Sequence, residues 1–232
     1  MFRYEMHLHT SPVSLCAIKS VRETLTFYKK LNYDGVFITN HFLDGNINVD
    51  HSLPYEKKIC FYFSDYEEGV KIGKELGLRV FCGVELSYFG TDFLVFGLEK
   101  DWWLSHPEIM GMKKSEQLPF MIEHGAFIAQ AHPFRTARWI DHVRLYSCVQ
   151  AIEIFNGGIS DIENEMADLY ATKYGKYKLA GTDNHVGELA KHLFGIETET
   201  PISDVPDFIS KVKNGETRIF SASNPLLKQS DL

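Results

Sequence analysis

Hydrophobic and polar residues alternate from the second position of the chain. Phe2, Tyr4, Met6 and Leu8 fall on one side of the pattern, and Arg3, Glu5, His7 and His9 on the other. A period of two is that of a strand, which predicts both imidazoles on one face at the strand's carboxyl end. Strand-like and helix-like runs then take turns. SVRETLTFYKKLNYDG (20–35) sets Val21, Leu25, Tyr28 and Leu31 near helical spacing and stops at a glycine. GVFITNH (35–41) is an apolar run suited to a buried parallel strand. Residues 42–63 have little periodicity and predict a long loop. SDYEEGVKIGKELG (64–77) opens as a capping box from Ser64 to Glu67 and closes on Gly77. LRVFCGVELSY (78–88) and DFLVFGL (92–98) are predicted strands, followed by a loop at Trp102-Trp103.

The second half keeps this rhythm. SEQLPFMIEHG (115–125) predicts a helix that Pro119 breaks or delays. AFIAQAHP (126–133) and VQAIEIFNG (149–157) read as strands, SDIENEMADLYATKYG (160–175) as an amphipathic helix, and YKLAGTDNH (177–185) as a strand. The strand FGIETE (194–199), a helix over 203–215 and the strand TRIFSA (217–222) follow. No repeat, low-complexity tract or linker interrupts the pattern, so one domain over 1–232 is expected. Alternating β and α elements imply an α/β fold with a parallel sheet, doubly wound or closed, and about seven βα units favour a barrel.

Composition alters this little: 232 residues, 44% hydrophobic and 24% charged, suit one α/β barrel. Charge alters it more. A net charge of −7 makes the surface as a whole repel nucleic acid and anionic membrane, so any anion must bind at a local site. Cys16, Cys60, Cys82 and Cys148 form no C-x-x-C pair, which argues against a zinc ribbon or disulfide framework and fits a reducing cytoplasm. No apolar leader precedes the first strand, and no run approaches the ~20 apolar residues that span a bilayer. A soluble, cytoplasmic protein is expected, with no membrane partner.

The candidate chemistry lies at the strand ends. His7 and His9 end the first strand, His41 ends GVFITNH, and His132 ends AFIAQAH. Glu85 lies near the end of RVFCGVEL and Glu153 within AIEIF, while Asp183 and His185 close LAGTDNH. In a parallel barrel the carboxyl ends of the strands meet at one rim, where such enzymes place their sites. The other five histidines (His51, His106, His124, His142 and His192) fall in loops or helices, where solvation is the default. Imidazole with carboxylate suits Zn, Mn or Fe better than Ca or Mg. Seven ligands, Glu153 set aside, exceed the needs of one ion, so two or three divalent ions are expected, with Glu85 best placed to bridge. Two such ions against Glu85 and Asp183 leave a local charge of roughly +2, a pocket for an anion such as phosphate.

HLHT (7–10), TNH (39–41), GVELS (83–87), QAHPFR (130–135), IEIFN (152–156) and GTDNH (181–185) resemble, in order and spacing, the motifs of PHP-domain (polymerase and histidinol phosphatase) phosphoesterases. The resemblance covers about residues 2–200. It implies a distorted seven-stranded βα barrel that hydrolyses phosphate esters with two or three metals. On matching positions, it implies that His7, His9, Glu85 and Asp183 hold one ion, that Glu85 and His132 share a second, and that His41 and His185 hold a third. The chain departs from the pattern where Asp92 stands in place of a frequent histidine. It departs again at Ser14 and Leu15, which replace an Asp or His, with Cys16 one residue beyond as a thiolate ligand or a small buried residue.

Other residues carry two readings each. Glu153 either orients ligands or simply faces inward. Glu5, expected on the face of His7 and His9, either supports an imidazole N–H or forms an interior salt bridge. Arg135 suits bidentate grip of a phosphate, with Arg138 as a weaker second. Asn156 and Asn184 donate to phosphate oxygens or shape turns. Trp102, Trp103 and the aromatics of 42–63 stack on a base or pack the core and rim.

The function expected is hydrolysis of a small phosphate ester, a monoester or nucleotide, by a metal-activated water, with Glu85, Arg135 and Asp183 as catalytic residues and Arg135 and Asn156 on the substrate. Long nucleic acid is not expected, because the chain is acidic and lacks a basic groove. The rivals are a metal-dependent amidohydrolase and a non-catalytic metal-binding regulatory module.

Overall fold

The period-two pattern at the amino terminus becomes β1 (Phe2–Leu8), but the strand does not keep one face throughout. It pairs in parallel with β2 (Gly35–Ile38), Glu5 opposite Val36 and Leu8 opposite Ile38, so three steps on one strand match two on the other. A bulge of this kind reverses the side-chain alternation beyond it. Glu5 therefore points to α1 (Val21–Lys30), where its Oε2 accepts a hydrogen bond from the Tyr28 hydroxyl at 2.9 Å. Its Oε1 accepts from the amides of Met6 and His7 at the bulge itself. His7 and His9 turn the other way, toward Glu85 and Asp183. The expectation that Glu5 shares their face is thus corrected.

The computed structural model describes residues 1–227; the last five positions of the expected 1–232 domain lie outside the described residues. The expected loop at 42–63 contains α2 (Tyr55–Tyr62), of which Ile59 and Tyr62 alone are buried, too sparse a stripe to read as helical periodicity. α3 (Ser64–Leu76) follows after Phe63 alone, so Ser64 does not cap it and instead donates to the Phe61 carbonyl at 2.7 Å. The expected strand 78–88 divides into β3 (Arg79–Cys82) and β4 (Val84–Tyr88). At Gly83 between them, a Cβ would stand 2.7 Å from Thr39 Cγ2, so only glycine lets the backbone pass. A two-residue turn, Phe89-Gly90, leads into the antiparallel β5 (Thr91–Phe96). Trp102-Trp103 sits in α4 (Lys100–Ser105) rather than a loop. α5 (Lys114–Glu123) runs through Pro119. β6 (Phe127–Ala131), β7 (Ala151–Asn156), α6 (Asp161–Tyr174), β8 (Tyr177–Gly181), β9 (His192–Thr198), α7 (Val205–Lys213) and β10 (Thr217–Ser223) complete the order.

The strands form two five-stranded sheets, β10-β9-β1-β2-β3 and β4-β5-β6-β7-β8. The ladders do not close into the expected barrel: β4, β5 and β6 run antiparallel, and the seams between the sheets carry the isolated bridges Leu8–Asn184 and His41–Glu85. Both bridges lie among the expected ligands, where side chains that converge on a site replace regular strand pairing. Between the sheets, Tyr4, Phe37, Phe81, Phe96, Phe127 and, from α7, Phe208 pack into a buried aromatic cluster. The strands' carboxyl ends are left to the polar residues. No helix among the described residues is long and apolar enough to cross a membrane.

α6 is tied to the segment after His132. Ser160 and Glu163 form a capping box, and Glu163 Oε1 also accepts from the Thr136 amide and hydroxyl, both at 2.6 Å. Burial pushes the Glu163 carboxyl up, but the hydrogen bonds from Thr136 and Ser160 outweigh it and hold the pKa at about 2. A carboxyl depressed on folding stabilises the native state fully above its unfolded pKa, ~4.3, and loses that contribution as pH falls toward the folded value. Glu163→Gln should therefore cost about 1 kcal/mol at neutral pH. In urea melts the variant and wild type should converge as the pH is lowered through that window.

Candidate metal centre

The expected histidines and Asp183 come from the carboxyl end of a strand or the residues just after it, and they converge on Glu85, the second residue of β4 just beyond β3. Its Oε1 lies 3.1 Å from His7 Nε2 and 3.5 Å from His132 Nε2; its Oε2 lies 3.4 Å from His9 Nε2 and 2.6 Å from His41 Nδ1. Asp183, just beyond β8, brings Oδ1 within 3.3 Å of His7 Nε2, 3.2 Å of His9 Nε2 and 3.4 Å of His185 Nδ1. Asp183 (φ 54°) and His132 (φ 27°) both hold left-handed backbone conformations that side-chain-bearing residues rarely adopt. Such strain is kept where the surroundings fix a side chain's direction. Gly181 makes the approach possible, since a Cβ there would stand 2.4 Å from His7 Cβ.

The neighbours of these residues set their tautomers. Glu153 Oε1 lies 2.9 Å from His7 Nδ1 and, as a carboxylate, can only accept, so His7 carries its proton there and bares Nε2. The Ser14 hydroxyl donates its one proton to Asn40 Oδ1 at 2.9 Å, so it accepts from His9 Nδ1 at 3.0 Å, which bares Nε2 of His9 as well. Buried Asp65 anchors this layer by accepting from Thr10 Oγ1 and Asn40 Nδ2. The bared lone pairs of His7 and His9 then face carboxylate oxygens, acceptor against acceptor, and neither Nε2 has a hydrogen-bond partner. Buried polar atoms without partners are rare in folded proteins, and a cation between them relieves the repulsion.

Three groups have ligand atoms close enough to share an ion: His7, Glu85 and His132; His7, His9 and Asp183; and His9, His41 and His185. The electrostatics agree with a cation at the centre. Burial opposes charge on His7, yet Asp183, Glu153 and Glu85 hold its pKa well above the ordinary value, so the carboxylates call for positive charge at Nε2, which a proton supplies where no cation does. Burial would raise Glu85, but His41 and His7 hold it well below the carboxylate range. Burial, with His185 and His41, keeps His9 neutral. Burial would also raise the Cys16 thiol, but hydrogen bonds to His185 and His41 bring it down to about 6 and leave a thiolate beside them. Asp92 is buried with Oδ2 3.7 Å from His132 Nε2; burial and Glu85 raise its pKa. The donors therefore fit divalent metal.

The centre opens into a cavity of about 600 Å³ lined by Cys16, His41, Glu85, Asp183, His185 and Arg135 among others. Arg138 is exposed and does not line it. Asn156, expected on the substrate, is fully buried and donates Nδ2 to Glu153 while its Oδ1 accepts from the Gly158 amide, which places it behind Glu153. Asn184 is likewise spent on Tyr28 and the turn to Gly187. Trp103 is core, its Nε1 donating to the Leu98 carbonyl, and Trp102 stacks on His106.

Sequence reasoning missed Ser14 as a partner of His9, although its place five residues on was the available signal. It also missed Phe89 and Trp139 on the cavity wall. Ser14→Ala should keep the fold and weaken metal retention by about 10–100-fold, the usual effect of removing a group that orients a ligand. Metal content after dialysis against graded chelator reads this, and unchanged retention would show that Ser14 does not orient His9.

No family model matches the chain, and no curated protein matches it. Solved structures do. The chain is similar to a two-domain protein from Bacteroides vulgatus containing a predicted PHP-like metal-dependent phosphoesterase, at 12% identity and TM-score 0.67. That match covers 94% of this chain and 64% of the Bacteroides protein, so the chain spans under two thirds of its length. It is also similar to PsfC from Pseudomonas syringae, at 14% identity and TM-score 0.58 over 100% of this chain and 94% of that one. A candidate metal-dependent phosphoesterase from Bifidobacterium adolescentis matches at 11% identity and TM-score 0.55, over 79% of this chain and 88% of that one. At these identities the likeness is one of fold.

Proposed function

We propose that the chain hydrolyses small phosphate esters at a cluster of two or three divalent transition-metal ions, its two sheets forming a distorted, unclosed TIM-like βα barrel. The observation that carries this is the convergence of five imidazoles, Glu85 and Asp183, with unpartnered buried atoms on His7, His9, His41, His132 and Glu85. On this reading His7, His9, Glu85 and Asp183 would hold one ion, Glu85 and His132 a second, and His41 and His185 a third, so that each imidazole serves a single ion. Ions bound there supply Lewis acidity toward the phosphoryl oxygens and a nucleophile at neutral pH.

The protein's own groups do the rest. Glu153 and Ser14 hold His7 and His9 in the tautomers that present Nε2. Arg135, in the cavity wall, grips the non-bridging phosphate oxygens with its planar fork. The net charge of −7 favours a monoester or nucleotide over long nucleic acid. A panel of nucleotides, sugar phosphates and amino-alcohol phosphates, assayed with Mn, Zn and Fe, tests the proposal. Turnover of one or more esters supports it. No turnover with any metal favours a non-catalytic metal-binding module, and turnover of amides instead favours an amidohydrolase.

A further inference from the structure

Two aromatic side chains on the cavity wall are not explained by the fold. Phe89 is 77% exposed and Trp139 is 71% exposed, although each lines the same cavity as Glu85, Asp183 and Arg135. Phe89 occupies the first position of a two-residue hairpin turn with φ 49°, followed by Gly90 at φ 80°. Both central residues of such a turn need positive φ, which asparagine or glycine accepts far more readily than phenylalanine. The Phe89 ring makes an edge contact with Tyr88 at 5.2 Å and otherwise faces solvent. The backbone thus tolerates strain there to present a ring that the core does not use.

The segments that carry the two rings are packed together. A Cβ on Gly90 would stand 2.6 Å from Ile140 Cγ1, so the hairpin tip packs directly against the neighbour of Trp139. Arg144 Nη1 donates to the Phe89 carbonyl at 3.1 Å. Glu163 pins Thr136 at the start of the same loop. The Arg135 guanidinium lies 5.9 Å from the centre of the Trp139 ring, within cation–π range, so the expected phosphate anchor and this ring are neighbours.

We infer that the site selects phosphomonoesters whose alcohol carries a flat aromatic ring, a nucleobase or an aryl group, held by Phe89 and Trp139 while Arg135 takes the phosphate. This rests on the phosphoesterase reading. The test uses two matched pairs with similar leaving oxygens, AMP against ribose 5-phosphate and benzyl phosphate against propyl phosphate. At least one ring-bearing ester should be preferred about tenfold or more in kcat/KM, the scale of ring stacking on an aromatic side chain. A preference in the first pair alone points to a nucleobase, in the second alone to an aryl group. In Trp139→Ala and Phe89→Asn the preference should fall toward unity.

Phe89→Asn separates recognition from structure. It relieves the turn, so its Tm should rise while its selectivity drops. AMP, but not ribose 5-phosphate, should quench tryptophan emission, and Trp139→Phe should abolish the quench. Equal turnover within both pairs, or a preference that survives both variants, overturns the inference and leaves the phosphoesterase reading standing. No turnover of any of the four esters with Mn, Zn or Fe overturns this inference, and turnover elsewhere in the wider ester panel then leaves the phosphoesterase reading standing.

Discussion

Glu85→Gln is expected to leave a folded protein that retains less than one metal ion per chain and loses ester hydrolysis by about 10³-fold or more, beyond the effect of removing a single charge-stabilising donor. The reason is geometric. Glu85 is buried and its two oxygens lie within 3.5 Å of four imidazoles from three separate segments. Glutamine keeps the shape but replaces an anionic acceptor by an amide whose N–H₂ points at one or more of the nitrogens. Two of the three ligand groups do not contain Glu85, yet all share an imidazole with it, so loss of the charge reaches every one. Elemental analysis of the purified variant, with a thermal melt to establish folding, reads the result. Full metal content and wild-type turnover would remove Glu85 from the centre.

Arg135→Ala is expected to keep its metals and its fold and to lose about 10²–10³ in kcat/KM on the best phosphate ester. Its position is set locally: the Arg135 amide donates to the His132 carbonyl at 3.0 Å, which closes a turn directly after a ligand. The side chain then reaches the cavity. A guanidinium there gains strength as negative charge builds on the phosphoryl oxygens, and none of the ligand groups includes it. Arg135→Lys should recover only part of the loss, since an ammonium cannot copy the two-point fork. Wild-type kinetics in Arg135→Ala, with metal content unchanged, would show that the arginine does not meet the phosphate.

The histidines, Glu85 and Asp183 stand out in the amino-acid sequence because they close or lie near the ends of apolar runs. In α/β folds strand ends are where a chain leaves the core and can present polar groups. The helices with strong punctuation are also legible: Ser20 to Glu23 and Ser160 to Glu163 form capping boxes, and Gly77 and Gly175 close helices in the left-handed conformation. Ser64 to Glu67 carries the same spacing without forming a box, because α2 already occupies the residues before it. A local pattern cannot report what its neighbours do.

Periodicity and punctuation are local and act within a few residues, so the chain alone establishes which residue types stand at which strand ends. Long-range packing sets the rest. The bulge between Glu5 and Leu8 depends on pairing with β2 and turns Glu5 away from the histidines it was expected to join. Gly83 divides a continuous apolar run because Thr39, far along the chain, fills the space beside it. Ser14 becomes the partner of His9 only through Asn40, and Phe89 meets the loop of Trp139 only because Gly90 admits Ile140. Each of these rests on a contact between segments distant in sequence, which no period of two or 3.6 encodes.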